Sequence, residues 1–333
     1  MNIEFHYYMT KLLALNAGFE QDEAEIIAYS SQYVDDNNQS FQIETPEGEI
    51  YSNYISQTLN ITKPQKQLMR VYLLFHFLPG DPTSYRARRK DGKMHMLMVT
   101  PASSHAQELY YDATTTENLY LLGIASHMLS DTLSHQNFVG TFDEINAMKG
   151  LWETLIPNIG HADAGYRPDI PNLIWEDPRL VKGHSIIDNK ERVLTAAQKL
   201  YSNFLIITSM PSKWAATKEI LSNIIGDPIE ESEITKYKAQ QKARIKKFQE
   251  HFQEMGINED YDQTTWFNEA VENDVKFLND KKFKFDPIKD KLAFKKNYKR
   301  SNWYQFQTAV KEYQRLATSK LEPILTQLEI KEW

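Results

Sequence analysis

Apolar residues recur at three- and four-residue spacing along most of the chain, the period of helices buried on one side. The spacing predicts helices over 7–17 and 21–34 around an Ala17-Gly18-Phe19 turn, with Gln21-Asp22-Glu23 placing acid at the second helix's start. That helix ends in Asp35-Asp36-Asn37-Asn38, where carboxylates sit poorly against the helix dipole, so either aspartate is a candidate for a cation. A proline-free helix runs from Glu117 through Leu133, and further helices fall at 189–208, 212–224, 231–254, 264–279 and 301–328. Between Phe41 and Thr100 the helical period is lost. Glu47-Gly48 reads as a turn between short strands, and Arg88–Lys93, with Asp91-Gly92, as a second hairpin tip. The chain is thus mainly α, with a small β-hairpin insertion near 41–100 and a helical C-terminal extension. We expect one domain over 1–229 and a charged helical region over 230–333 packed on it.

The helix through 117–133 carries the chemistry. His127, Asp131 and His135 are four residues apart, so they stack along one face among Leu121, Leu122, Ile124, Met128, Leu129 and Leu133. Two imidazoles and a carboxylate on an apolar face are costly unless paired or ligated. They read either as ligands of zinc or another divalent transition metal, or as a hydrogen-bonded trio without one. His76, alone in the apolar run Val71–Leu78, reads first as a satisfied core residue and second as a ligand. The glycine- and proline-rich stretch from Pro157 to Trp175 is an ordered loop, from which His161 and Asp163 are free to point at the central face. His184 and Asp188 form a competing pair, although Asp188 reads first as the N-cap of the following helix.

Composition narrows this picture. There is no cysteine, so any metal is held by His, Asp and Glu. Net charge is −7, divided as −9 over 1–229 (18 basic, 27 acidic) and +2 over 230–333 (20 basic, 18 acidic), against a general nucleic-acid-coating role. Residues 281–300 interleave nine basic residues with Phe283, Phe285, Phe294 and Tyr298, a composition suited to an anionic membrane surface, or simply to a charged loop. The opening Met1–Tyr8 has acid and histidine where a signal peptide carries basic and apolar residues, and no apolar run is long enough to span a membrane. A cytoplasmic protein, or one exported without a cleavable signal, is expected.

With His6, Asp35 or Asp36, His127, Asp131, His135 and His161 taken together, the chain resembles the zinc-dependent phospholipase C and single-strand nuclease superfamily, an all-helical bundle. There an N-terminal His, an Asp ending an early helix, and a helix-borne His-x-x-x-Asp followed by further His hold up to three zinc ions. The resemblance implies that His127 and Asp131 are the helix pair, with Asp131 bridging. It makes His135 the first ligand of a separate ion, His161 a later one and His6 the N-terminal His. Asp35 or Asp36 is then the early Asp, and His76 the His that follows it. The chain is more closely similar to an uncharacterised family of bacterial proteins sharing Phe-His-Tyr-Tyr, Ser-Gln-Tyr-Val-Asp, Phe-His-Phe-Leu-Pro, Ser-Asp-x-x-Ser-His-Gln-x-Phe, and Gly-His before Pro-Asp-x-Pro. These stand at 5–8, 31–35, 75–79, 130–138 and 160–171, so the likeness covers about 1–210.

Three departures stand out. In the superfamily the free amine of a leading Trp binds metal, whereas here Met1 precedes His6 and Glu4 offers itself as a replacement. The second helix His comes two residues later there. The residue four beyond His161 is Gly165, not an acid. The resemblance implies one to three ions, zinc or else manganese or iron, and a metal-dependent phosphodiester hydrolase. Water activated by the ions attacks phosphorus, with Asp35, Asp36 or Asp163 as the orienting base. Substrates implied are a small phosphodiester, a phospholipid headgroup or single-stranded nucleic acid. The rival is a non-catalytic binding or secreted interaction protein that keeps the scaffold and a structural metal.

Overall fold

The computed structural model describes residues 1–58, 70–148, 159–273 and 292–330. A π-helical segment, Glu4–Met9, runs straight into α1 (Thr10–Ala17), which stops at Gly18 in the left-handed conformation. α2 (Gln21–Asp36) follows, and then a hairpin of β1 (Gln42–Glu44) and β2 (Ile50–Ser52) turning at Gly48. A second π-helical segment, Tyr72–His76, occupies the apolar run. α3 (Ser104–Thr114) leads to α4 (Leu119–Ser134), capped by the Asn118 side chain. After a loop come β3 (Leu173–Glu176), β4 (Ile186–Asp188) and α5 (Asn189–Thr208), whose first turn is capped by Asp188 as expected. The remainder is α6 (Trp214–Ile225), β5 (Ile229–Glu230), α7 (Tyr237–Glu254), α8 (Thr265–Ala270), β6 (Val271–Asn273), β7 (Leu292–Phe294) and α9 (Asn302–Gln327).

Every residue of α4 from Leu121 to Ser134 is buried, as befits a helix apolar nearly all round. It packs against α2, α3, α5 and α9. α2 and α4 approach closely at Gly123, where an added Cβ would stand 2.5 Å from the Ile27 carbonyl oxygen and 2.5 Å from Ser30 Cβ. This closeness lets the end of α2 reach the His127 face of α4. Gly123→Ala is therefore expected to destabilise by about 1–3 kcal/mol through overpacking, against a helix-propensity gain of about 1 kcal/mol. A thermal melt checks it: an unchanged or higher melting temperature would mean the helices separate freely.

Two small sheets join distant parts of the chain. One has the order β2-β1-β7-β6, with β1 and β7 parallel; the other, β4-β3-β5, has β3 and β5 parallel. Ile229 and Glu230 thus pair with Leu173 and Ile174, so a strand straddles the boundary expected at 229/230. Trp303, Phe306 and Tyr313 of α9 share one core with Leu12, Tyr33 and Leu129.

Three local expectations are corrected. Arg88–Lys93 is a turn, with Gly92 at positive φ, but not a hairpin tip: Arg89 bridges to remote Leu180 and its guanidinium pairs with Asp91. The helix expected over 264–279 ends at Ala270, because Val271–Asn273 pair with β7; residues 274–279 lie outside the described residues. Of the basic-aromatic stretch, residues 281–291 lie outside the described residues, and Phe294 and Tyr298 stack on each other at 3.9 Å, buried rather than facing outward. No helix among the described residues is long and apolar enough to cross a membrane.

Candidate metal centre

Four elements converge on the C-terminal half of α4. His127 and Asp131 lie inside the helix and His135 caps its end, so the expected column is present. The two π-helical segments bring His6 and His76, and Asp35 arrives from the last turn of α2. π-helical turns are rare and concentrate at functional sites. The loop after Ile159 supplies His161 and Asp169. Gly160 lets that loop in, since a Cβ there would stand 2.4 Å from the Phe77 ring.

The hydrogen-bond pattern fixes what each imidazole presents. His127 Nδ1 faces the Ser31 carbonyl at 2.7 Å, His76 Nε2 that of Ser56 at 2.9 Å, His135 Nδ1 that of His76 at 2.9 Å, and His161 Nδ1 that of Gly165 at 3.0 Å. A carbonyl oxygen only accepts, so each of these nitrogens carries the hydrogen, and in the neutral ring the other nitrogen is a bare lone pair. Those lone pairs point at one another. His127 Nε2 and His76 Nδ1 are 3.1 Å apart, and stand 3.2 and 3.3 Å from Asp131 Oδ2 and 3.9 and 3.7 Å from Asp35 Oδ1. His135 Nε2 and His161 Nε2 each lie 3.5 Å from the Asp169 carboxylate. His6 Nε2 is 3.3 Å from Asp131 Oδ1, and among the described residues neither His6 Nε2 nor Asp169 Oδ1 has a partner in hydrogen-bond geometry, the latter having only ionic neighbours. Donors about 2.1 Å from a shared tetrahedral ion stand about 3.4 Å apart, close to these separations.

Among the described residues, three groups could each hold a metal ion: Asp35, His76 and His127; His6, His127 and Asp131; and His135, His161 and Asp169. Asp131 links them, its Oδ2 toward His76 and His127 and its Oδ1 toward His6 and the amine of Met1. That amine nitrogen is 2.6 Å from Asp131 Oδ1, 3.2 Å from His135 Nε2 and 3.3 Å from Asp169 Oδ1. The cluster floors a cleft of about 260 Å³ whose walls include Gln57, Tyr72, Phe77 and Ile159. His6, His127 and Asp131 are sealed from solvent, while Asp35 and His161 are a quarter exposed at its floor.

Electrostatics keep the set ready for a cation. Burial holds His135 down at about 4, and burial together with the neighbouring His127 holds His6 well below the ordinary histidine value. Against burial, Asp131 and Asp35 raise His127. Against burial again, His135, the Met1 amine and His127 keep Asp131 far below the carboxylate range, and His161 with the same amine lowers Asp169. The amine is pushed up to about 10 by Asp131 and Asp169, despite its burial. The metal-free protein should therefore lose stability as pH falls from about 6.5 toward 4, because the unfolded chain takes protons on His6 and His135 that the folded chain refuses. His127, Asp35 and Glu4, all raised, act in the opposite sense, while the lowered Asp131 and Asp169 add to the loss at the acid end. Melting temperatures in chelator across pH 4–7 test this, and a flat profile would contradict it.

The site corrects several sequence expectations. Asp36 turns away, accepting from Gln32 at 3.0 Å and from the Tyr261 hydroxyl at 2.6 Å. Asp163 accepts the Met148 N–H at 2.7 Å and is not among the converging groups. Glu4 does not replace an amine: it pairs with Arg244, and the amine of Met1 itself is in the site. His184 packs edge-on against Tyr85. Asp169 was missed, eight residues beyond His161 instead of four, although it stands in the Pro168-Asp169-Ile170-Pro171 motif.

Residues 1–321 match the model of a family of unknown function (DUF6765), and the chain belongs to that family. No curated protein matches the chain, and no solved structure does.

Proposed function

We propose that this member of the family is a metal-dependent phosphodiester hydrolase on a multi-helix scaffold of phospholipase C/nuclease type, holding up to three zinc ions. The observation that carries the reading is the convergence of four imidazoles and three carboxylates, ligand atoms facing one another, at the end of one buried helix. Asp35, His76, His127 and Asp131 would hold one ion, His135, His161 and Asp169 a second, and His6, Asp131 and the Met1 amine a third. Bound this close together, such ions neutralise charge on a phosphodiester and make water a nucleophile at neutral pH. The chain's own residues do the rest. Backbone carbonyls fix the tautomer and aim of four imidazoles. Of the three aspartates considered as base, Asp35 alone faces the cleft, where it would orient a water beside the first ion. Gln57 Nε2, 3.5 Å from Asp35 Oδ1, steadies that carboxylate, while Tyr72, Phe77 and Ile159 offer an apolar wall to the ester's organic part.

The test combines elemental analysis after chelator-free purification with turnover of phosphatidylcholine, phosphatidylinositol, single-stranded DNA and RNA, and a chromogenic bis-ester. One to three equivalents of zinc are expected, or of manganese or iron. At least one substrate should be cleaved, with activity lost on chelation and in His135→Ala. If loaded protein cleaves none of them, the binding-protein reading takes its place.

A further inference from the structure

The amino-terminal arm of the site is anchored from far along the chain. Glu4 is completely buried and Arg244, on α7, nearly so. Arg244 Nε lies 2.5 Å from Glu4 Oε1 and Nη2 3.3 Å from Oε2, a two-pronged pair, while Nη1 donates to Asn172 Oδ1 at 3.2 Å. The Asn2 side-chain amide donates both to Glu4 Oε2, at 3.1 Å, and to the Asp169 carbonyl, at 2.9 Å. A buried ion pair adds little net stability over apolar residues of the same volume, and is better explained by the placement it enforces. This one is two residues from His6, three from the Met1 amine, and one hydrogen-bonded side chain from the backbone of Asp169.

Resting on the metal-centre reading, we propose that Arg244 and Glu4 are positioning residues. Through Asn2 they set the Met1–His6 arm and Asp169 in register with α4, so that α7 completes the centre without contributing a ligand to it. The fork is required as well as the charge: lysine in place of Arg244 keeps a cation but cannot hold both carboxylate oxygens in one plane.

The test uses the full chain carrying Arg244→Lys or Glu4→Gln. Arg89→Lys is the control, since Arg89 has the same side-chain exposure, 6%, and its hydrogen bonds, to Asp91 and Ile145, touch no ligand. Two quantities are read: zinc affinity by competition with a chromogenic chelator, and imidazole nitrogen resonances of His6 and His135 in the metal-free protein. Both variants should weaken zinc uptake about 10–100-fold and shift the two imidazoles, whereas Arg89→Lys lowers the melting temperature and moves neither. Wild-type affinity and unshifted resonances in folded Arg244→Lys overturn the proposal, leaving the pair a support of the fold only. If Glu4→Gln fails to fold, the double variant Glu4→Gln/Arg244→Gln, which removes both charges together, takes its place under the same criteria. Wild-type protein that binds no zinc would sink the metal reading. The resonances alone then decide whether the pair places His6 and His135.

Discussion

Asp131→Ala is expected to leave the protein unable to hold more than one ion and to abolish turnover. Asp131 is the single side chain shared by the amine, His6, His76 and His127, and its two oxygens face different groups. Without it the buried amine loses its closest anion, and removing one partner of a buried pair costs about 3–5 kcal/mol. Asp131→Asn separates the two effects. It keeps the volume and a hydrogen-bond acceptor but not the charge, so the fold should survive while turnover falls at least about a thousandfold. Metal content, melting temperature and rate are measured on both variants. A strongly destabilised Asp131→Ala whose wild type melts identically with and without chelator would identify the cluster as a hydrogen-bonded core with no metal.

Blocking the amine of Met1 should have the next largest effect. Two protein forms are compared, one with that amine free and one with two further residues joined to it. The amine sits sealed among Asp131, His135 and Asp169, and joining it into a peptide removes both its charge and its lone pair. The added residues must also find room in a cleft of about 260 Å³ that the ligands already floor. The extended form is expected to bind one ion fewer and to turn over about a hundredfold more slowly, a C-terminal addition of equal length serving as control. Equal metal content in the two forms would remove the amine from the ligand set. Because the amine is pushed up to about 10 and so carries its proton at neutral pH, an ion taking that place must release it. Metal uptake should therefore acidify a weakly buffered solution.

What the chain's own pattern determined is the part of the centre that lies within regular helix. Four-residue spacing alone stacks His127, Asp131 and His135, and the apolar residues around them bury the column. The absence of cysteine leaves imidazole and carboxylate as the donors, and the cap of α5 is legible from Asp188. What only the tertiary structure decided is every choice between neighbours. Asp35 and Asp36 are adjacent, and on a helix adjacent residues point about 100° apart. The close approach of α2 to α4 at Gly123 selects Asp35, and Tyr261 takes Asp36. His6 and His76 stand in π-helical turns, which leave no periodic mark on a sequence, so their direction is readable only once the surrounding helices are packed. Asp163 and Asp169 share one loop, where periodicity is silent. A short helical turn at Arg167–Asp169 brings the later one to His161. Glu4, level in sequence with a ligand, is drawn off by an arginine 240 residues away. Local spacing fixes direction only where the backbone repeats; elsewhere a side chain points where its buried polar atoms find partners, and those partners come from the rest of the fold.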